Sequence, residues 1–122
     1  MADDLLVARG LVVAYGRPAR RFTRQAASLT VLHGIDIRVG KGETVGIVGE
    51  SGSGKTTLGR ALLGLLKPVA GSVVFAGSDI TALDERARRP LRRRMQMIFQ
   101  DPMSSLNPRH TIGRILIEPV LL

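Results

Sequence analysis

The chain has 122 residues, 44% of them hydrophobic, which is typical of one globular domain and excludes a disordered chain. The absence of cysteine excludes a disulfide framework and a thiolate metal site; the acidic first residues do not predict a signal peptide, and no apolar run has the length of a transmembrane helix. The net charge of +8 could attract nucleic acid, but 3% aromatic residues leave few side chains for base stacking, so we expect no nucleic-acid partner.

The N-terminal part of the chain predicts three strands. Residues 5–15 and 31–39 alternate apolar and polar side chains, as strands with one buried face do. The basic segment between them, residues 16–29, is predicted to be a loop or a long hairpin connection. A tight turn at residues 40–42 leads to a continuous apolar run at 44–48, which predicts a strand covered on both faces.

Helical spacing begins after a glycine-rich loop. Apolar residues recur at i, i+3, i+4 and i+7 from Leu58 to Leu65, which predicts one buried helix face. We expect this helix to include Leu65 and to end before Pro68, because proline cannot continue a helix. Residues 72–75 then predict a short strand.

The C-terminal part predicts helices around one more strand. The basic segment 86–94 is predicted to be partly helical and interrupted near Pro90. Residues 95–99 are a second short apolar run, which predicts another strand buried on both faces. Thr111 is expected to cap a last helix that Pro119 stops or bends.

A phosphate-binding loop is the strongest motif in the sequence. The segment Gly49-Glu50-Ser51-Gly52-Ser53-Gly54-Lys55-Thr56 has the required spacing between a predicted strand and a predicted helix. Its glycines let successive N–H groups turn toward a polyanion, and the helix start adds unpaired N–H groups and a positive dipole end. We expect Lys55 to contact the β- and γ-phosphates, Thr56 to ligate Mg²⁺, and Thr57 to contact phosphate.

This loop alone does not distinguish kinases, GTPases, motor ATPases and transporter ATPases, but four other stretches do. They are Leu11-Val12-Val13-Ala14-Tyr15, Val31-Leu32-His33-Gly34-Ile35-Asp36-Ile37 with Gly42-Glu43-Thr44, Gly71-Ser72-Val73-Val74-Phe75-Ala76-Gly77-Ser78-Asp79-Ile80, and Met97-Ile98-Phe99-Gln100-Asp101-Pro102. With the loop, they resemble the first half of an ABC-transporter nucleotide-binding subunit over essentially the whole chain. The resemblance implies an incomplete α/β fold of the P-loop NTPase type with an N-terminal antiparallel β-subdomain.

A narrower resemblance comes from Ser105-Leu106-Asn107-Pro108-Arg109 after Phe99-Gln100-Asp101-Pro102. This combination is similar to the oligopeptide and dipeptide importers. It implies an ATP-binding component that couples ATP binding and hydrolysis to import. Members of this branch also import nickel or glutathione, so the transported substrate stays open.

The resemblance assigns roles to individual residues. Tyr15 matches the aromatic residue that stacks on adenine, and Gln100 matches the glutamine that contacts Mg²⁺ and the surroundings of the attacking water. The implied cofactors are ATP and Mg²⁺, bound by Gly49, Glu50, Ser51, Gly52, Ser53, Gly54, Lys55, Thr56 and Thr57, with Thr56 and Gln100 as the metal ligands. His33 and His110 are interpreted as incidental.

The resemblance also implies partners and a location. The family works with a second ATP-binding subunit and with membrane permease subunits, which are contacted through the region of Gln100. The chain is therefore expected at the cytoplasmic side of the membrane, as a peripheral component.

Three elements of the family's ATPase site are absent from the sequence: the Leu-Ser-Gly-Gly-Gln signature, the Walker B aspartate with its following glutamate, and the switch histidine. We therefore predict that residues 1–122 form the N-terminal part of a nucleotide-binding domain, with unpaired edges and exposed apolar surface. Intact family members hydrolyse ATP, and we expect this chain alone to be inactive. Two alternatives stay open: another P-loop enzyme such as a small kinase, and a non-hydrolytic nucleotide-binding module.

Overall fold

The computed structural model describes residues 3–16, 29–101, 104 and 106–121. The strands in this part of the chain are β1 (Asp4–Tyr15), β2 (Leu29–Gly40), β3 (Ala70–Phe75) and β4 (Ser78–Asp79). The helices are α1 (Lys55–Leu62), α2 (Glu85–Arg88), a 3₁₀ helix (Arg89–Arg93) and α3 (Ile112–Leu121). The predicted connection at residues 16–29 lies outside the described residues except for its two ends. None of the helices described has the length and hydrophobicity needed to span a bilayer.

The strands form one antiparallel sheet in the order β2-β1-β3-β4. The long strand β1 is central: Val13 lies opposite Leu32 of β2, and Ala8 opposite Val73 of β3. The alternation that predicted β1 is present, since Leu11 and Val13 are buried while Val12 between them is only half-buried. The predicted N-terminal antiparallel β-subdomain is therefore confirmed.

Helix α1 packs against one face of this sheet and closes the core. Leu58, Ala61 and Leu62, at the predicted helical spacing, are its buried apolar side chains. Burying a leucine side chain contributes about 1.5–3 kcal/mol, so this contact anchors α1 to the sheet. The full set of buried apolar residues is Ala8, Leu11, Val13, Leu32, Leu58, Ala61, Leu62, Val73, Phe75 and Ile80.

Helix α1 ends at Leu62, earlier than predicted, and Leu65 is exposed. Gly64 has a φ of 73° and ends the helix. Its N–H donates to the Ala61 carbonyl at 3.1 Å, and the N–H of Leu65 donates to the Arg60 carbonyl at 2.8 Å. These two bonds make the Schellman arrangement of a helix C-terminus. The glycine, and not the later Pro68, ends α1.

We expect Gly64→Ala to destabilise the fold by about 1–2 kcal/mol, because a left-handed backbone conformation carries that cost for a residue with a Cβ. The new Cβ would lie 3.5 Å from the nearest Arg88 atom, which is ordinary contact, so the cost comes from the backbone. Urea unfolding followed by circular dichroism measures it. Gly59→Ala, a helical position with open space around the added Cβ, is the control and should not destabilise. Equal stability of Gly64→Ala and the parent chain would contradict this account.

Two predicted strands, residues 44–48 and 95–99, are not strands in the structure. Neither segment is helical or paired in a β-sheet. Among their apolar residues, Val48 is 99% exposed and Ile98 is 91% exposed. A strand is stable only when a neighbour takes its backbone hydrogen bonds. No segment among the described residues pairs with either of them, so the parallel sheet expected of this fold class is not formed there.

The predicted C-terminal helices are present in the structure. Residues 85–93 form α2 and then the 3₁₀ helix, which contains Pro90. The Thr111 hydroxyl accepts a hydrogen bond from the N–H of Arg114 at 3.3 Å and caps α3. Of the two alternatives for Pro119, stopping the helix is wrong, since α3 continues through it to Leu121, and bending it stays a prediction. Proline removes one hydrogen bond, to the carbonyl four residues earlier, and its ring crowds that carbonyl, but the other hydrogen bonds of the helix can persist.

Candidate functional site

The predicted phosphate loop leads directly into α1, which begins at Lys55 as expected. Gly54 is the N-cap residue, with φ 100° and ψ 10°, and no side chain caps the helix. A Cβ at this position would lie 3.1 Å from side-chain atoms of both Val31 and Leu32, tighter than ordinary contact. Glycine at this point therefore brings the loop against β2 and leaves the helix N-terminus uncovered.

The loop presents backbone donors that lack acceptors. The N–H of Ser53 donates to the Glu50 carbonyl at 3.1 Å, and the first helical bond joins Leu58 N–H to the Gly54 carbonyl at 2.8 Å. Within the described part of the chain, no hydrogen bond takes up the N–H groups of residues 51, 52 and 54–57. Free N–H groups at a helix start fit a polyanion such as a triphosphate.

Lys55 places its ammonium group over this loop. Its Nζ donates to the carbonyls of Gly49 at 2.5 Å and Glu50 at 2.7 Å, and lies 3.3 Å from the Ser53 hydroxyl oxygen. All three acceptors are uncharged, and none of the ion pairs described involves Lys55. The positive charge is therefore available to an anion at the loop.

Tyr15 and Thr57 meet across the site. The Tyr15 hydroxyl lies 3.1 Å from the Thr57 hydroxyl oxygen, a hydrogen bond between residues 42 positions apart. Tyr15 is 40% exposed at the end of β1, whereas Thr57 is 9% exposed in the first turn of α1. The hydroxyl of Thr56, on the same turn, is on an exposed residue. The structure thus brings the expected adenine-stacking residue to the expected phosphate-binding helix.

Gln100 is not brought to the loop. It is exposed in the segment after residues 95–99, and no hydrogen bond among the described residues joins it to residues 49–57. Met95, Met97 and Phe99 instead line a cavity of about 210 Å³ beyond the C-terminal end of α1. Since residues 95–99 pair with no strand among the described residues, no sheet pairing there holds Gln100 next to the loop. Its role stays a prediction.

The histidines have no metal-site geometry. His33 is exposed, and His110 Nε2 lies 3.2 Å from the Asn107 side-chain nitrogen. The described residues contain no group of three or more His, Cys, Asp or Glu side chains able to hold a metal ion.

The sequence did not predict the Tyr15–Thr57 bond, because no local pattern links two residues so far apart in the chain.

The ABC transporter family profile matches residues 32–115, which include the loop, α1 and Gln100. This chain belongs to the ABC transporter family. It is 49% identical over 114 residues to a Brucella ovis protein whose name assigns it to peptide import as an ATP-binding protein, covering 93% of this chain and 34% of that protein. It is 46% identical over 99 residues to the oligopeptide transport ATP-binding protein AppF of Bacillus subtilis, covering 80% of this chain and 30% of AppF. This chain thus spans about a third of the length of the curated relatives it matches.

Solved ABC cassettes share its fold. A dimeric post-hydrolysis structure of the cassette MJ0796, bound to ADP and Pi, matches with a TM-score of 0.60 and 25% identity, covering 72% of this chain and 35% of that chain. Another dimeric structure of MJ0796 matches with a TM-score of 0.73 over 95% of this chain and 47% of that chain, and at 23% identity it supports the fold alone. The predicted family and fold class are confirmed.

Proposed function

We propose that this chain is the nucleotide-holding part of an importer's ATP-binding subunit, with peptides as the transported class. The observation that carries the proposal is the uncapped start of α1, where free N–H groups and the Lys55 ammonium face the same loop. Peptide transport follows from the names of relatives that are 46–49% identical. The proposed domain assignment is that residues 1–122 are the N-terminal part of a nucleotide-binding domain.

The loop is proposed to bind the triphosphate of ATP. Residues 49–54 wrap the phosphates with backbone N–H groups, and Lys55 exchanges its bonds with the loop carbonyls for bonds with the β- and γ-phosphates. That exchange is favourable because charge-assisted hydrogen bonds are stronger than bonds to neutral carbonyls. The Thr56 hydroxyl, with Gln100, would hold Mg²⁺, which neutralises phosphate charge when bound.

The remaining roles concern the base, the partners and the location. Tyr15, a partly exposed residue at the site, is proposed to stack on adenine. Gln100 is proposed to link the nucleotide to membrane permease subunits, and a second ATP-binding subunit is proposed to complete the site. The protein is then peripheral at the cytoplasmic side of the membrane. Hydrolysis would require the signature and carboxylate elements that the sequence does not contain.

Titration calorimetry with ATP, with and without Mg²⁺, tests this function and the role of Gln100. We expect the chain to bind ATP, and Mg²⁺ to strengthen binding. Gln100→Ala should reduce the Mg²⁺-dependent gain in affinity, because it removes one of the two oxygen ligands proposed for the metal, while leaving the affinity for metal-free ATP unchanged.

Gln96→Ala is the matched control, because Gln96 is exposed in the same segment and is given no role. It should behave as the parent chain. Absence of ATP binding by the parent chain would contradict the proposed function. An unchanged Mg²⁺ effect in Gln100→Ala would remove only the role of that residue.

A further inference from the structure

The hydrogen bond between Tyr15 and Thr57 joins two ends of the candidate site. Tyr15 is the last residue of β1, where its backbone pairs with Leu29 of β2. Thr57 is the third residue of α1, next to the phosphate loop, and is buried. The bond therefore connects the residue proposed to contact the base with the helix proposed to contact the phosphates.

The two partners differ in how firmly they are held. Thr57 is β-branched in a helix, so its side chain has few rotamers, and burial restricts it further. Tyr15 is 40% exposed at a strand end, where rotation about its side-chain bonds is less restricted. The shared hydrogen bond at 3.1 Å transfers the fixed geometry of the helix to the ring.

The chemistry of a hydroxyl allows Thr57 to do this while contacting phosphate. A threonine hydroxyl has one donor hydrogen and two acceptor lone pairs. It can therefore accept a hydrogen bond from the Tyr15 hydroxyl and donate its own hydrogen to a phosphate oxygen. The contact with Tyr15 does not conflict with the phosphate contact expected from the sequence.

We propose that Thr57 is a positioning residue for the base, because its hydroxyl holds the Tyr15 ring in the orientation that stacks on the nucleotide. This inference rests on the proposed function. Without the hydroxyl bond the ring samples more orientations, and ordering it on binding costs affinity. The loss falls on the base and not on the phosphates.

The test compares ATP with inorganic tripolyphosphate, which has the phosphates without the base. Tyr15→Phe keeps the ring and removes only the hydroxyl. We expect it to weaken ATP binding about 2- to 12-fold, the cost of ordering one side chain on binding, with no change for tripolyphosphate. In a Thr57→Val background, Tyr15→Phe should have no further effect on ATP affinity, since the bond is already absent.

A second readout detects the bond without a ligand. Tyr15 is the only tyrosine and the chain has no tryptophan, so the tyrosine Raman doublet and the fluorescence anisotropy come from this ring alone. Thr57→Val should change the doublet and lower the anisotropy. Thr57→Ser, which keeps the hydroxyl, should leave both at the values of the parent chain. A bond that served only fold stability would shift the unfolding midpoint without the difference between ATP and tripolyphosphate.

The outcomes separate this inference from the function on which it rests. Parent-level ATP affinity in Tyr15→Phe, or an equal loss for ATP and tripolyphosphate, overturns the positioning role. An unchanged Raman doublet in Thr57→Val overturns the bond itself. If the parent chain binds neither ligand, the proposed function fails and the inference fails with it.

Discussion

Lys55→Ala is expected to abolish measurable triphosphate binding, with affinity falling by more than about 100-fold. The estimate takes two charge-assisted hydrogen bonds, to the β- and γ-phosphates, at about 1.5–3 kcal/mol each. No ion pair among the described residues engages this ammonium, so its charge is free to act on the ligand. Equilibrium titration with a fluorescent ATP analogue measures the loss.

Two further variants make the Lys55 result specific. Lys67→Ala removes the same charge from an exposed position beyond the end of α1, and should bind like the parent chain. Lys55→Arg keeps the charge but replaces a compact ammonium with a planar guanidinium, and should bind more weakly than the parent chain. Circular dichroism confirms that each variant keeps its fold. Parent-level affinity in a folded Lys55→Ala would exclude the loop as the binding site.

The second large effect concerns the isolated chain, which we expect to self-associate and to hydrolyse no ATP above background. Its exposed large apolar residues include Val48, Ile98, Ile112, Leu116 and Val120, all more than half exposed. Unpaired extended segments and apolar patches favour association between chains. Size-exclusion chromatography should therefore show species larger than the 13.1 kDa monomer.

Amide exchange and phosphate release complete this test. Residues in β1 and β3 should be protected by their hydrogen bonds in the sheet, whereas residues 44–48 and 95–99 should exchange rapidly.

Ile98→Asp should reduce association between chains. Gln96→Asp, which adds the same charge at an exposed polar position in the same segment, should have less effect. Phosphate release with Mg²⁺-ATP should equal the background rate. A compact, protected monomer with robust turnover would refute the assignment to half a domain.

Much of the site could be predicted because its signals are local. The spacing of glycine, lysine and threonine placed the loop, and the helix begins at Lys55 as that spacing requires. Alternation identified β1 and β2, and helical spacing identified three of the four expected buried positions on α1. The prediction that Leu65 is a buried helical position was wrong because Gly64 ends the helix first. Gly64 is a local signal that apolar periodicity does not take into account.

The two apolar runs were predicted wrongly for a physical reason. Residues 44–48 and 95–99 have the composition of buried strands, but composition describes what a segment can become once it is paired. Backbone hydrogen bonds in a sheet come from other strands, and the described residues provide none for these runs. The position of Gln100 depends on the same missing pairing, so its place at the site could not follow from the motif alone.

The sequence by itself determined the phosphate loop, strands β1 and β2 and the apolar face of α1, because glycine spacing and apolar period act over a few residues, and its motifs carried the resemblance that implied the family and the antiparallel β-subdomain. The tertiary structure alone decided the strand order β2-β1-β3-β4. It also decided the meeting of Tyr15 with Thr57. Contacts between residues far apart in the chain depend on how strands pair and how α1 packs on them, and no local pattern encodes that geometry.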